Sequence, residues 1–386
     1  MRDPVFIGSA FVAKYPTGGG NFWVPLQYLL GLRALGVEAY WLEILWGRPD
    51  RTRAREFVAS FLRYVEELDV APWVALVLYP DNSCDEAPGV SEHWGLAADA
   101  LWSRARCGLL LNFANSVPAT VRACFGRTAL FDIDPGQFQL WARDHDLGVG
   151  SHDAYLTIGQ NLGAPDSPVP LGDVAWRRVW PVVHVPAWPE QPPPPTGGRY
   201  TTVTQWWSGT WVVLDGEVFD GNKRTGFLEV AELPCRVPVA LELAANIHPE
   251  ETEDLTLLAR HGWHVTDPAV VAGTPQAFQR YVQTSRGEFS CAKPTYVRTR
   301  PGWVSDRTLC YLASGRPCVV QATGAEGLLP DSAGLRFFRT LDEAADGLRA
   351  VEADYAAAAR AARRLAEDVF ATHIILPEVL RAAGGL

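Results

Sequence analysis

Lysine is nearly absent from this chain. Only Lys14, Lys223 and Lys293 are lysines among 34 basic residues; the rest are arginines. GC-rich coding accounts for that ratio. A compact ammonium and a planar guanidinium are nevertheless not interchangeable at a phosphate, so the segments that keep a lysine stand out. Long apolar runs are missing too: no stretch reaches the ~18–20 residues that a membrane span requires. The segment MRDPVFIGSAFVAKYPTGGG lacks the basic start, apolar run and cleavage site of a signal peptide. It reads as a first strand, and a cytoplasmic location is expected. No CxxC pair occurs among the seven cysteines, at 84, 107, 124, 235, 291, 310 and 318, and their number is odd. Disulfide frameworks and zinc sites are poorly supported, and packing as small apolar residues is expected. Positive charge is in deficit: the formal net charge of −10 opposes nonspecific binding to nucleic acid.

What is present is an α/β chain. Its 386 residues exceed the ~250–300 that one core supports, so two domains are expected. VFIGSAF (5–11) reads as a strand, Gly18, Gly19 and Gly20 as a turn, residues 22–36 as a helix and 37–45 as a second strand. That is a βαβ unit. Further strands at 73–79, 108–115 and 127–134, with a helix at 55–68, imply a parallel sheet covered on both faces. PAWPEQPPPPTGGR (186–199) breaks the pattern as a semi-rigid spacer. A second α/β series follows, with strands at 201–207, 237–244, 263–267, 295–300, 317–323 and 335–340. The expected division is 1–186, a linker at 187–200, a second domain at 201–365, and a terminal helix at 366–386 that packs back on the first domain.

The most informative stretch is 293–330, KPTYVRTRPGWVSDRTLCYLASGRPCVVQATGAEGLLP. A strand is expected to end at Arg300, with Pro301 and Gly302 turning the chain. Ser305 can cap a helix with Asp306 in its first turn. Gly315 then ends that helix. Unpaired N–H groups and a partial positive charge make such a helix start a site for a diphosphate, and Arg300 can add a bidentate contact. Thr323, Gly324 and Glu326 form a second polar loop beside the first, at the carboxyl edge of the sheet where open α/β sheets bind ligands.

Arg300, Gly302, Trp303, Val304 and Ser305, then ASGRP at 313–317 and Glu326, resemble the donor-binding signature of GT-B glycosyltransferases. The match is similar still to a bacterial glycosyltransferase-like group with a glycine turn after the first strand, a DxDP segment and a GW-x-SDR turn. The plant-type phosphate-binding His is Arg300 here, the Asn is Val304, and the Glu three residues past the Ser is Thr308. The resemblance implies two Rossmann-like domains facing across a cleft, with a nucleotide-sugar site in the second. It also implies that Gly18, Gly19 and Gly20 face that cleft.

Other residues are candidates on chemical grounds. Lys223, in Asn222-Lys223-Arg224, suits the leaving diphosphate, with a hairpin-tip charge pair as the plain alternative. Glu288 and Lys293 flank GEFSCAK, Glu288 either binding ribose hydroxyls or pairing with Lys293. Asp132 and Asp134 in FDIDPG have DxD spacing, which invites a metal. No other carboxylate cluster backs that, so Asp134 is taken as an acceptor-side base, against a turn aspartate. His152, beside Asp153, is a second candidate base, although a lone His is more often structural. Trp206 and Trp207 could stack on a ring, but more commonly pack. The reaction expected is transfer of a sugar from a nucleoside-diphosphate donor to a hydroxyl or amine of a small acceptor, a natural product by the composition's cast. Neither a metal nor a cofactor beyond the donor is needed, and no nucleic acid or membrane span is involved. The rivals are an epimerase or hydrolase of the same fold, an idle sugar- or nucleotide-binding protein, and a single-domain enzyme using Asp132 and Asp134 on a metal.

Overall fold

The computed structural model describes residues 3–46, 51–79 and 92–384; Cys84 lies outside them. The first sheet has eight strands: β1 (Val5–Ser9), β2 (Ala39–Trp46), β3 (Val74–Tyr79), β4 (Glu92–Gly95), β5 (Leu109–Phe113), β6 (Arg127–Asp132), β7 (Ala154–Thr157) and β8 (Trp176–Arg178). Their order is β4-β3-β2-β1-β5-β6-β7-β8, parallel throughout except for β4. β1, β3 and β5 are buried along their whole length. Alternate residues feed one apolar cluster on each face, which is why these strands read as continuous apolar runs.

The second sheet holds β9 (Arg199–Thr204), β12 (Ala240–Ala245), β13 (His264–Thr266), β14 (Gly287–Ser290), β15 (Cys318–Gln321) and β16 (Leu335–Phe338). A separate hairpin joins β10 (Trp211–Leu214) and β11 (Glu217–Asp220). The sheet is parallel, in the order β13-β12-β9-β14-β15-β16. Both sheets therefore reverse direction beside their first strand, and loops leaving the carboxyl ends at that point border a crevice. The expected α/β class and paired Rossmann-like units are what the chain forms.

Six helices position the site: α1 (Gly19–Ala34), α2 (Gln137–Asp144), α3 (Pro275–Thr284), α4 (Pro294–Thr299), α5 (Asp306–Ala313) and α6 (Thr372–Ala383). The two units share apolar packing. Trp23 of α1 lies 4.6 Å from Trp188, which lies 6.2 Å from Phe278 of α3. The Trp23 indole donates to the Pro275 carbonyl at 2.9 Å. α6 runs along α1, with Gly31 against Thr372 and Leu376. Val183 exchanges backbone hydrogen bonds with Phe370 and Thr372 at 2.9 and 3.1 Å.

Two expectations change. Residues 295–300 are not a strand. Pro294 at the first helical position presets φ for a helix, and Thr295, Tyr296 and Thr299 fall on its buried face. The strand is β14, and its buried Glu288 and Ser290 hid it from an apolar pattern. The proline-rich segment, expected as a semi-rigid spacer, is fixed to the body of the protein. Trp188 is fully buried, and arginines tie down the carbonyls that follow: Arg363 reaches Trp188, Arg316 reaches Pro192 and Arg286 reaches Pro194.

Candidate functional site

A cavity of ≈ 570 Å³ opens between the two sheets, lined among others by Gly18, Gly19, Gly20, Asp134, Gln137, Asn222, Lys223, Lys293, Ser305, Asp306 and Arg307. The first domain brings α1 and the loop after β6. The second brings the turn before residue 224, Lys293 at the start of α4, and the start of α5. Gly19 is there for close approach: a Cβ would run into the carbonyl oxygens of Ala272 and Thr274 across the cleft. Its helix starts with no acidic residue in the first turn and no side-chain cap.

The loop that delivers these glycines is anchored by a residue that the sequence pattern did not flag. Glu43 is fully buried. It accepts from the Val12 and Ala13 amides at 2.8 and 2.9 Å, from the Trp41 indole at 3.3 Å and from the Ser9 hydroxyl. Burial outweighs these donors and pushes its carboxyl from 4.5 up to about 7. The folded state then holds the proton more tightly than the unfolded chain. Stability from this group is present below the unfolded value and is lost as pH rises towards 7. Chemical denaturation at a series of pH values should show wild type losing stability relative to Glu43→Gln between about pH 4.5 and 7, with a constant difference above. A flat difference across that window would remove Glu43 as a titrating anchor.

Asp134 is held from the second domain. Lys293 donates to its Oδ1 at 2.8 Å and to Gln137 Oε1 at 3.1 Å, and the Tyr296 hydroxyl donates to the same Asp134 oxygen. Burial alone would raise the carboxyl, but Lys293, Tyr296 and Lys223 outweigh it and hold it below its ordinary value. Asp132, the other half of DxD, faces inward. It accepts from Gln139 and Thr157 at 2.7 Å and from the Asp134 amide at 2.9 Å, so it shapes the loop. Burial pushes it up to about 6. Among the described residues no three His, Cys, Asp or Glu side chains group as metal ligands would.

Lys223 lines the cleft 5.5 Å from the Trp303 ring centroid. Burial first, then the nearby Arg307 and Lys293, push its ammonium well below the ordinary value, with Glu288 opposing. The other two cations are matched. Lys293 pairs with Asp134. Arg307 donates to Glu288 Oε1 at 2.6 Å, Ser290 Oγ at 2.5 Å and the Val203 carbonyl at 2.8 Å. Among the described residues no hydrogen bond or ion pair satisfies Lys223.

Several expected site residues stand elsewhere. The Arg300 side chain is 59% exposed and bonds Glu326 at 2.9 Å, outside the cleft. Its position at the left-handed end of α4 turns it to the surface. Glu326 also takes Arg339. Gly302 and Gly324 pack against Asn161 of the first domain, Thr323 bonds the backbone of Gly302 and Trp303, and none of the three lines the cavity. Trp303 sits below Lys223, against Tyr296 at 4.7 Å. Glu288 is buried behind Arg307. Ser305 is the residue before α5, as expected, but its side chain makes no capping bond. Asp306 occupies that helix start with its own carboxylate, which burial pushes up to about 6 against its backbone N–H. The α5 start is therefore a poorer anion cradle than the α1 start.

His152 is not in the cleft. It is 7% exposed, lies 2.9 Å from Asn112 Nδ2, and is pushed down to about 4 by burial. It is a packed imidazole. Arg224 points away to Asp254, and Trp206 is core, donating to the same Asp254. The residues missed were Arg307, Gln137 and Tyr296. Only Arg307 had a signal, as the last letter of the SDR turn.

No protein-family model matches the chain, and no curated protein matches it in sequence. Solved structures do match in shape. HepE of Anabaena, solved with UDP-glucose, superposes with a TM-score of 0.56 at 11% identity, over 99% of this chain and 100% of that one. The chain has the GT-B fold. TarM gives 0.56 at 9% identity over 99% of both chains. Sucrose-phosphate synthase of Thermosynechococcus elongatus gives 0.51 at 12% identity over 98% of both. No described helix is long and apolar enough to cross a membrane.

Proposed function

We propose that this protein is a glycosyltransferase that takes a sugar from a nucleoside diphosphate and delivers it to a hydroxyl or amine of a small acceptor, without a metal. One observation carries the reading: Lys223, a part-buried cation with no ion pair or side-chain hydrogen bond among the described residues, faces a cleft bordered by the α1 glycines and the Lys293–Asp134 pair. HepE, of the same fold, has been solved with UDP-glucose and with UDP and glucose. A diphosphate entering here supplies the ion-pair partner that Lys223 lacks among the described residues. Its oxygens meet the free N–H groups of α1, where no carboxylate competes. Lys223 and Lys293 then balance the charge that grows on the leaving diphosphate. Asp134, ionised at neutral pH and half-exposed beside Lys293, accepts the proton of the acceptor. The cytoplasm, where nucleotide sugars are made available, is the compartment this chemistry suits.

The test is a thermal-shift panel of UDP, GDP, ADP and dTDP on wild type, Lys223→Ala and Arg300→Ala. Wild type should be stabilised by at least one of them. Lys223→Ala should weaken that binding by roughly 30-fold or more, the cost of removing a buried charged contact. Arg300→Ala, whose guanidinium faces Glu326 outside the cleft, should behave as wild type. If none of the four raises the melting temperature of wild type, the reading is withdrawn.

A further inference from the structure

The glycines of the GW turn and of the loop after β15 serve a purpose that the donor-site reading did not give them. Asn161, in the loop after β7 of the first domain, sits in the notch between them. Its backbone N–H donates to the Pro301 carbonyl at 2.9 Å. Its side-chain Nδ2 donates to the carbonyls of Arg300 and Gly324, both at 3.0 Å. The notch exists only because both residues lack a side chain. A Cβ at Gly302 would lie 2.9 Å from the Asn161 amide nitrogen, and one at Gly324 would lie 2.5 Å from its Nδ2. Both glycines also hold positive φ, +75° and +95°, which favours glycine independently. The second domain closes its side of the notch with Gly302 N–H donating to the Thr323 carbonyl at 2.8 Å.

The same loop touches the segment that carries the candidate base. Gly159 lies so near Pro135 that a Cβ would stand 2.5 Å from the proline Cβ, and Thr157 at the end of β7 donates to Asp132 at 2.7 Å. The position of Asp134 relative to Lys293 and α5 is thus set through two neighbouring loops, one of which is pinned to the second domain by Asn161.

We infer that Asn161 is a positioning residue: seated in the Gly302–Gly324 notch, it holds the two domains at the separation that brings Asp134 against the donor-side lysines. Its three hydrogen bonds to the second domain all run to backbone carbonyls, so the clasp depends on the N–H donors of Asn161. Asn161→Asp, equal in size but with a carboxylate facing two carbonyl oxygens, is therefore as disruptive as Asn161→Ala. The inference rests on the proposed transfer site only for its catalytic consequence. The clasp itself is a statement about domain geometry.

The experiment has two arms. In the first, small-angle X-ray scattering is recorded on ligand-free wild type, Asn161→Ala, Asn161→Asp and Gly324→Ala, each first checked for cooperative thermal unfolding. All three variants should show a larger radius of gyration than wild type while still unfolding cooperatively. Gly324→Ala reaches the same clasp from the opposite domain and decides the matter if the Asn161 variants do not fold. In the second arm, UDP release from UDP-glucose is measured. The variants should lose ~10²-fold in kcat, the scale for misplacing reacting groups by about 1 Å, with little change in KM. Unchanged scattering in folded variants overturns the clasp whatever the ligand results. A wild type that neither binds nor turns over a nucleotide sugar sinks the transfer reading, while the scattering arm still decides the clasp.

Discussion

Asp134→Asn is expected to cut sugar transfer by ~10²–10⁴-fold, the range supplied by a positioned general base, while leaving nucleoside-diphosphate binding largely intact. The expectation follows from where the carboxylate stands and what surrounds it. Oδ1 is committed to Lys293 and Tyr296, leaving Oδ2 as the oxygen with capacity to spare at the wall of the ≈ 570 Å³ cavity. The amide of Asn keeps size and the oxygen that accepts from Lys293, so the cleft keeps its shape and loses only the proton acceptor. The pH dependence separates this group from its neighbours. Lys293, Tyr296 and Lys223 hold Asp134 below the ordinary 3.8 despite burial. The acid limb of the rate profile from Asp134 should therefore lie below that value. Lys293→Met would remove its main partner and shift that limb upward. If Asp134→Asn turns over as wild type, or if it abolishes UDP binding as well, the base must be sought elsewhere on the first domain.

The sheet-and-helix skeleton was legible because buried parallel strands such as VALVLY and GLLLNF announce themselves as short apolar runs between turns. The cleft followed from the glycine turn before α1 and from the placement of the scarce lysines: Lys223 and Lys293 both reach the cavity. What failed was the reading of single side chains near the GW turn. Arg300 looked like the phosphate partner because it precedes the turn, but a left-handed backbone at φ 46° swings it outward. The guanidinium beside the cleft, Arg307, lies seven residues on. It was passed over despite closing the SDR turn, because its partner Glu288 belongs to a strand that no apolar alternation marks. His152 beside Asp153 suggested a base. Adjacent residues in an extended segment point to opposite faces, and the ring went under the sheet to Asn112. Contacts between domains, such as Asn161 against Gly324, join positions 163 apart in sequence and leave no local trace.

Arg307→Leu is expected to destabilise the second domain by about 3–5 kcal/mol, the cost of leaving a buried charge without its partner. That corresponds to a fall of roughly 6–20 °C in Tm for a unit of this size. The reason lies in Glu288 more than in the arginine. Glu288 is 0% exposed, Oε1 depends on Arg307 Nε at 2.6 Å, and Oε2 has no hydrogen-bond partner among the described residues. Without Arg307 the carboxylate keeps Cys318 and Tyr311 beside it, neither of which can neutralise it, and Lys223 acts on it only through space, with no ion pair or hydrogen bond between them. Adding Glu288→Gln to Arg307→Leu removes the stranded charge, so the double variant should recover a large part of the lost stability. Glu288→Gln alone should cost less than Arg307→Leu alone, because the amide still accepts from the guanidinium. A cycle over the four proteins by urea unfolding, read at two wavelengths to test cooperativity, gives the coupling directly. Additive costs would mean that the pair is not a buried unit. Nucleoside-diphosphate binding by the double variant then answers a separate question. Arg307 borders the cavity with its donors committed to Glu288, Ser290 and Val203, so it acts on an anion through its charge more than through direct bonds. Binding in the double variant should fall by less than in Lys223→Ala.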